Sequence, residues 1–173
     1  MFTNPEKNLK NFGISGGMTV ADLGAGSGFY TLPAAKMAEG GTVYAVEIQK
    51  DFLDTIRAKA KDAHLDNVHA LWGNIEKIGG TKLSDKSADR VICSNVLFQI
   101  EDRLGFIEEI KRILKPEGKV LLVCHDPETS HLGLKSAVPK EKARKMFEDN
   151  GFRLEKEIDA GSHHYGMIMS RKR

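Results

Sequence analysis

The chain has 173 residues, of which 40% are hydrophobic and 29% charged, as expected for one domain spanning 1–173 with a sizeable core. A formal net charge of +2 is too mild to argue for a nucleic-acid partner, and no apolar run reaches the length of a membrane span. The opening MFTNPEKNLKNFG has no apolar stretch of the kind a secretion signal needs, so a cytoplasmic protein is expected.

Asn4-Pro5 reads as an N-cap followed by proline in the first helical turn, opening a short helix to about Phe12. With only Leu9 and Phe12 as apolar members, that helix reads either as a packed lid at the bottom or edge of a sheet or as a flap over a ligand. Thr19–Leu23 is β-branched and apolar and carries Asp22 near its end; Gly24, Gly26 and Gly28 then alternate. Phe29–Met37 follows as a helix that Gly40-Gly41 stops, and Thr42–Val46 is a second strand closed by Glu47. Strand, glycine turn, helix and strand form half of a mononucleotide-binding sheet, with a ligand expected at the glycines. A side chain at Gly24 or Gly26 would resist positive φ and push a ligand off the backbone. Gly28 comes one residue earlier than the third glycine of the dinucleotide fingerprint. Asp22 adds negative charge ahead of the turn, which suits a ligand with a cationic or amine-bearing tail better than a pyrophosphate.

Asp51–Ala63 reads as a helix with Phe52, Leu53, Ile56 and Ala60 on its core face, and Asn67–Leu71 as a short third strand. Trp72 beside it reads as packing or as a stacking platform. Ile78–Ser87 is a linker. Ala88–Cys93 is the fourth strand, and Ser94-Asn95-Val96-Leu97-Phe98-Gln99 leaves its carboxyl end, where Gln99 can reach back to a pocket and Phe98 reads as core of the next helix. Glu101–Leu114 is that helix, with Leu104, Ile107, Ile110 and Leu114 inward. Lys115–Gly118 turns it off, and Lys119–Cys124 is the fifth strand. Thr129–Val138 is a loop, Pro139–Asn150 a helix, Arg153–Ile158 and His164–Ser170 the last two strands, and Ser170–Arg173 a solvated tail. Cys93 and Cys124 lie inside strands and read as buried thiols.

The run DLGAGSG after a strand, with an acid closing the next strand, resembles the class I S-adenosylmethionine-dependent methyltransferases. KPEG before the fifth strand and DNGF before the sixth resemble the junctions of the same family. The resemblance implies an α/β, Rossmann-like methyltransferase sandwich: a seven-stranded, mostly parallel sheet in the order 3-2-1-4-5-7-6, strand seven antiparallel, with helices on both faces. It implies S-adenosyl-L-methionine as cofactor. Asp22, Gly24, Ala25, Gly26, Gly28 and Phe29 would wrap the methionine part. Glu47 would take the ribose hydroxyls, a pairing that also follows from carboxylate and diol chemistry. Ile48 and Gln49 would cover the ribose or adenine edge, Asn74 would meet the adenine amine with Ile75 on the ring, and Ser94 and Asn95 would line cofactor and substrate. Asn74 also reads as a plain turn residue. SNVLF differs from the NPPY-like run of members that methylate exocyclic or amide nitrogens, which argues against that chemistry. About eighteen residues precede the first strand. That is short for the family, so the substrate side is expected to be open, or closed by a second copy or another chain.

Methyl transfer asks the protein mainly for placement, with a base only where the nucleophile must lose a proton. The carboxyl end of strand five carries His125-Asp126, and antiparallel strand seven begins near that edge at His163-His164. His125, Asp126 and His164 are therefore candidate catalytic residues. The cluster also reads as a divalent-metal site without a known spacing, or as exposed rim histidines, with His131 further out; no metal ligand is assigned. Lys135, Lys140, Lys142, Arg144 and Lys145 read as a solvated face or as a lure for an anionic substrate or RNA. A small-molecule acceptor is expected, a nucleic acid or protein acceptor being the alternative, with a non-catalytic cofactor-binding subunit behind them.

Overall fold

The computed structural model describes residues 3–129 and 136–172, so His131 and Lys135 lie outside the described residues. Local chemistry sets the first helix, α1 (Pro5–Phe12). Asn4 Oδ1 accepts from the Lys7 amide at 2.9 Å, and Gly13, left-handed at φ +73°, ends it by donating to the Leu9 and Lys10 carbonyls. The remaining elements are β1 (Thr19–Leu23), α2 (Thr31–Met37), β2 (Thr42–Glu47), α3 (Lys50–Asp62), β3 (Val68–Trp72), β4 (Ala88–Ser94), a 3-10 turn (Leu97–Gln99), α4 (Arg103–Ile113), β5 (Leu114–His125), α5 (Lys140–Asp149), β6 (Phe152–Ile158) and β7 (His164–Arg171).

Among the described residues seven strands form one sheet in the order β3-β2-β1-β4-β5-β7-β6. The pairs from β3 to β5 are parallel, and β7 runs antiparallel to β5 and β6. This is the order the resemblance implied. The central strands are apolar on both faces because helices cover both. On one face Leu9, Phe12, Tyr30 and Ala34 pack over Val20, Ile92, Leu121 and Ile168, and Ile56 of α3 meets Ala25 and Ala45. On the other, Phe106, Ile110 and Phe147 of α4 and α5 pack over Cys93, Leu122 and Met167. Helix α1 is thus packed against one face of the sheet. Cys93 and Cys124 are buried free thiols, as expected.

Several boundaries differ from expectation. Helix α2 begins at Thr31, two residues late, which leaves Phe29 in the turn. Helix α4 runs Arg103–Ile113, and Leu104 faces outward at 59% exposure because Phe106 and Ile107 occupy the inner stripe. Phe98 belongs to the 3-10 turn, half-buried, not to a helix core. Strand β5 includes Leu114, which pairs with Ala88; the register then jumps to Lys119 opposite Arg90, so Lys115–Gly118 is an excursion within the strand and not a separate turn. Ser170 and Arg171 are no solvated tail: Ser170 is buried, receives a bond from Arg153 Nε at 3.1 Å, and Arg171 Nη1 donates to the Leu114 carbonyl.

Candidate active site at the carboxyl edge of the sheet

Because β1 lies between β2 and β4, the chain leaves it in opposite senses on its two sides, and a crevice opens at the carboxyl ends of these strands. A cavity of about 430 Å³ occupies that crevice. Its walls are the β1 turn, the ends of β2 and β3, and the segment after β4. Of the candidates named above, Asp22, Gly24, Ala25, Gly26, Phe29, Glu47, Ile48, Gln49, Asn74, Ile75, Ser94 and Asn95 line it, and so does Gln99. Gly28 does not. It is left-handed at φ +86°, and a Cβ there would stand 3.2 Å from Ile56 Cγ1, so its role in the structure is the close approach of α3.

The glycine turn is shaped by its neighbours. Gly24 and Ala25 both donate to the Val46 carbonyl, at 2.9 and 3.2 Å, which draws the turn over the end of β2. Gly24 sits at φ +72°, and a Cβ there would meet Val96 Cγ2 at 2.7 Å. Gly26, at φ +53°, has nothing within 4 Å of that position, so its missing side chain leaves open room on the cleft side.

Two carboxyl groups dominate the electrostatics. Glu47 is nearly buried, with Oε2 accepting from the Gly26 amide at 3.0 Å and Oε1 from the Ile48 and Gln49 amides at 2.8 and 2.9 Å. These amides fix the carboxylate; Oε1 has both lone-pair sites engaged, and Oε2 keeps one. Asp22 is 2% exposed and bonded by Thr31 Oγ1 at 2.7 Å. Burial pushes its carboxyl up to about 7; the Thr31 hydroxyl opposes the shift and nearby Glu47 adds to it.

The structure adds residues that sequence did not single out. Tyr30 lines the cleft, and its hydroxyl receives Asn8 Nδ2 of α1 at 2.8 Å. Phe52, expected in the core, is 36% exposed at the cleft, and Val46, Gly73, Glu76, Val96, Ile100 and Ser27 complete the lining. An aromatic next to a predicted helix start reads as core, so no sequence signal marks Tyr30 or Phe52. Asn74 combines both of its readings: it lines the cleft, and its Oδ1 closes an Asx turn with the Glu76 amide at 2.9 Å. Trp72 is outside the cleft; its Nε1 donates to the Ile48 carbonyl at 2.9 Å and Lys82 Nζ lies 4.9 Å above its ring.

His125, Asp126 and His164 do not line the cavity but stand beside it. The β5–β7 register sets His125 opposite His164, with ring centroids 4.2 Å apart, and His164 Nε2 lies 3.2 Å from Asn95 Nδ2. Burial, then the neighbouring imidazoles of His125 and His163, push His164 down to about 4. Burial and His163 also lower His125. Asp126 Oδ1 accepts from the Glu128 amide at 3.0 Å. Asp126 N donates to the His163 carbonyl, and His163 Nδ1 lies 2.7 Å from the Thr129 carbonyl. Among the described residues no three His, Cys, Asp or Glu side chains are grouped to hold a metal ion.

A Gly-lined crevice at a switch point, with one acid at the end of the first strand and one at the second, defines a nucleotide-type cofactor site of the methyltransferase kind. A family model described as a methyltransferase domain matches residues 14–168. The chain therefore belongs to the methyltransferase-domain family, within the class I S-adenosylmethionine-dependent group. It is 30% identical over 126 residues to a demethylmenaquinone methyltransferase of Lactococcus lactis, covering 72% of this chain and 47% of that protein. To a malonyl-[acyl-carrier protein] O-methyltransferase of Halalkalibacterium halodurans it is 32% identical over 111 residues, covering 64% and 40%. The chain thus spans about half the length of the curated relatives it matches. A solved structure of an S-adenosylmethionine-dependent methyltransferase from Aquifex aeolicus superposes with a TM-score of 0.89 at 30% identity, covering 97% of this chain and 89% of that one.

The residues present fit the cofactor of the family. A deeply buried carboxyl at Asp22, with no cation beside it among the described residues, calls for a cationic ligand group. Gly26 lines the cleft with open space where a Cβ would stand, and the amide-held Glu47 carboxylate keeps an Oε2 acceptor site for a hydroxyl.

Proposed function

We propose that the chain transfers a methyl group from S-adenosylmethionine to a small-molecule acceptor. The observation that carries this reading is the pairing of buried Asp22 with amide-fixed Glu47 across the open face of Gly26. In it, Asp22, Gly24 and Gly26 hold the amino-acid tail, Glu47 the ribose, and Ile48, Gln49, Asn74 and Ile75 the adenine. When bound, the cofactor supplies a methyl group already activated on a sulfonium, so the protein's own residues need only bind, orient and exclude water. The small-molecule acceptor is supported by the relatives, which are named for demethylmenaquinone and for malonyl-[acyl-carrier protein]. It is supported also by α5, three of whose four cations are engaged: Lys140 with Glu157, Arg144 with Glu148 and Lys145 with Asp149. Among the described residues no helix is long and apolar enough to cross a membrane. With its two buried free thiols we assign the protein to the cytoplasm.

Calorimetric titration tests the reading. S-Adenosylhomocysteine binds and NAD does not, and Glu47→Gln weakens the former by about 1–2 kcal/mol by removing a charged acceptor. Binding of NAD without the homocysteine nucleoside would refute it. On the acceptor side, His125 is the proposed base. Its lowered pKa keeps it neutral at pH 7, so the acid limb of the rate profile falls below the ordinary 6.5, and His125→Ala lowers turnover by about 10²-fold. A limb at or above 6.5, or unchanged turnover, would exclude His125.

A further inference from the structure

The chain leaves β4 through Asn95, a non-glycine residue at φ +51°, in the left-handed region. Such a conformation persists only where the surroundings hold it, and it often marks a working residue. Here the Asn95 amide donates to the Val123 carbonyl at 2.7 Å, which ties the turn to β5. The side chain lines the cleft. Its Nδ2 lies 3.2 Å from His164 Nε2, while its Oδ1 is buried and has no hydrogen-bond partner among the described residues.

His164 is itself well supported. It sits opposite His125 in the β5–β7 register, ring against ring. Its burial and the two adjacent imidazoles keep it uncharged at neutral pH, and in the Nδ1–H tautomer Nε2 holds the lone pair. In that tautomer the Asn95 amide N–H donates to the lone pair, and Oδ1 is the atom left for a ligand. Because β1 and β4 are neighbours, with Asp22 level with Ile92, this oxygen belongs to the same end of the crevice as the Asp22 carboxyl. That end takes a donor-bearing, cationic group.

We propose that His164 is a positioning residue: it fixes the Asn95 carboxamide so that Oδ1 accepts a hydrogen bond from the ammonium of the cofactor's amino-acid tail. The proposal rests on the cofactor reading above, and gives His164 a role in binding in place of proton transfer.

The test compares S-adenosylhomocysteine with 5′-methylthioadenosine, which has the same nucleoside and no amino-acid tail, by calorimetry on the whole chain. Expected is a loss of about tenfold in affinity for the first ligand in His164→Ala, with the second unchanged. His164→Gln restores the first, because its amide oxygen can accept from Nδ2. Asn95→Ala, which leaves β7 untouched, repeats the selective loss even if His164→Ala fails to fold. Equal weakening of both ligands in the variants would reveal a merely structural role and overturn the proposal. Native affinity for both would overturn it as well. A wild-type chain that binds neither ligand would instead remove the cofactor reading itself, and this proposal with it.

Discussion

A carboxyl at the depth of Asp22, bonded by Thr31 Oγ1 at 2.7 Å and level with the apolar centre of the sheet, stays protonated up to about pH 7 in the free protein. Its unfolded value is the ordinary 3.8, so the folded pKa is raised. A raised carboxyl stabilises the fold in full below about pH 3.8, and that contribution is lost as pH rises through 7. Asp22→Asn removes the loss. In urea denaturation the variant's stability advantage over the wild type grows by about 1–3 kcal/mol between pH 5 and pH 8. Binding shows the opposite trend: an ammonium-bearing ligand prefers ionised Asp22, so S-adenosylhomocysteine binds up to about tenfold tighter at pH 8 than at pH 6. The Asn variant loses that pH dependence along with affinity. If the dependence persists in the variant, another group is titrating. Asp22 and Glu47 were legible as acids of the cleft because each sits at a strand end next to the glycine turn. The cost of burying Asp22 was not, since burial depends on the strands that flank it.

Among the elements, the stretch from Ile78 to Ser87 reads as a bare linker, and the structure gives it an anchor. Glu109 of α4 is fully buried and accepts from the Gly79 amide at 2.8 Å, the Thr81 amide at 3.1 Å and the Thr81 hydroxyl at 2.6 Å. Arg112 closes on it through Nε and Nη2, both at 2.8 Å, and reaches on to Asp85 and the Leu83 carbonyl. Burial alone would raise Glu109; Arg112, the Thr81 hydroxyl and the two amides overcome it and hold the carboxyl at about 2. That contribution is present above about pH 4.5 and is lost as pH falls toward 2. Glu109→Gln costs about 2–4 kcal/mol at pH 7, read from urea midpoints, because it breaks a buried, fully bonded pair. At pH 2 the gap between variant and wild type narrows. A cost below 0.5 kcal/mol, roughly the scale of a surface pair, would mean the anchor is not structural. In sequence, Glu108 and Glu109 are two adjacent acids on an amphipathic helix, and only the path of the linker tells the buried one from the exposed one.

Across the whole molecule, cofactor binding and folding are linked, because the cleft joins groups from Asp22 to Asn95 that are brought together only in the folded sheet. Helix α1 is fastened to the same assembly by Lys7 to Asp159 at 2.7 Å and by Asn8 to Tyr30 at 2.8 Å. S-Adenosylhomocysteine at a hundred times its dissociation constant adds about 2.7 kcal/mol, which raises Tm by about 5–10 °C for a chain of this length. NAD at the same concentration leaves Tm unchanged. A calorimetric signal for the nucleoside without a matching rise in Tm would locate its binding outside the folded cleft.

The sequence by itself determined the class of fold and the acidic, glycine-lined half of the site. Strand patterning, glycine turns and helix caps are local, and a contiguous run from Asp22 to Glu47 supplies one wall of the cleft within one βαβ unit. What only the tertiary structure decided lies across strands that are distant in the chain. Residues 95, 125 and 164 meet because β5 pairs in parallel with β4 and antiparallel with β7, and a shift of one residue in either register would send an imidazole to the opposite face. Tyr30 and Phe52 turn toward the cleft because α2 starts late and α3 begins at its rim, choices made by packing and not by the periodicity of their side chains.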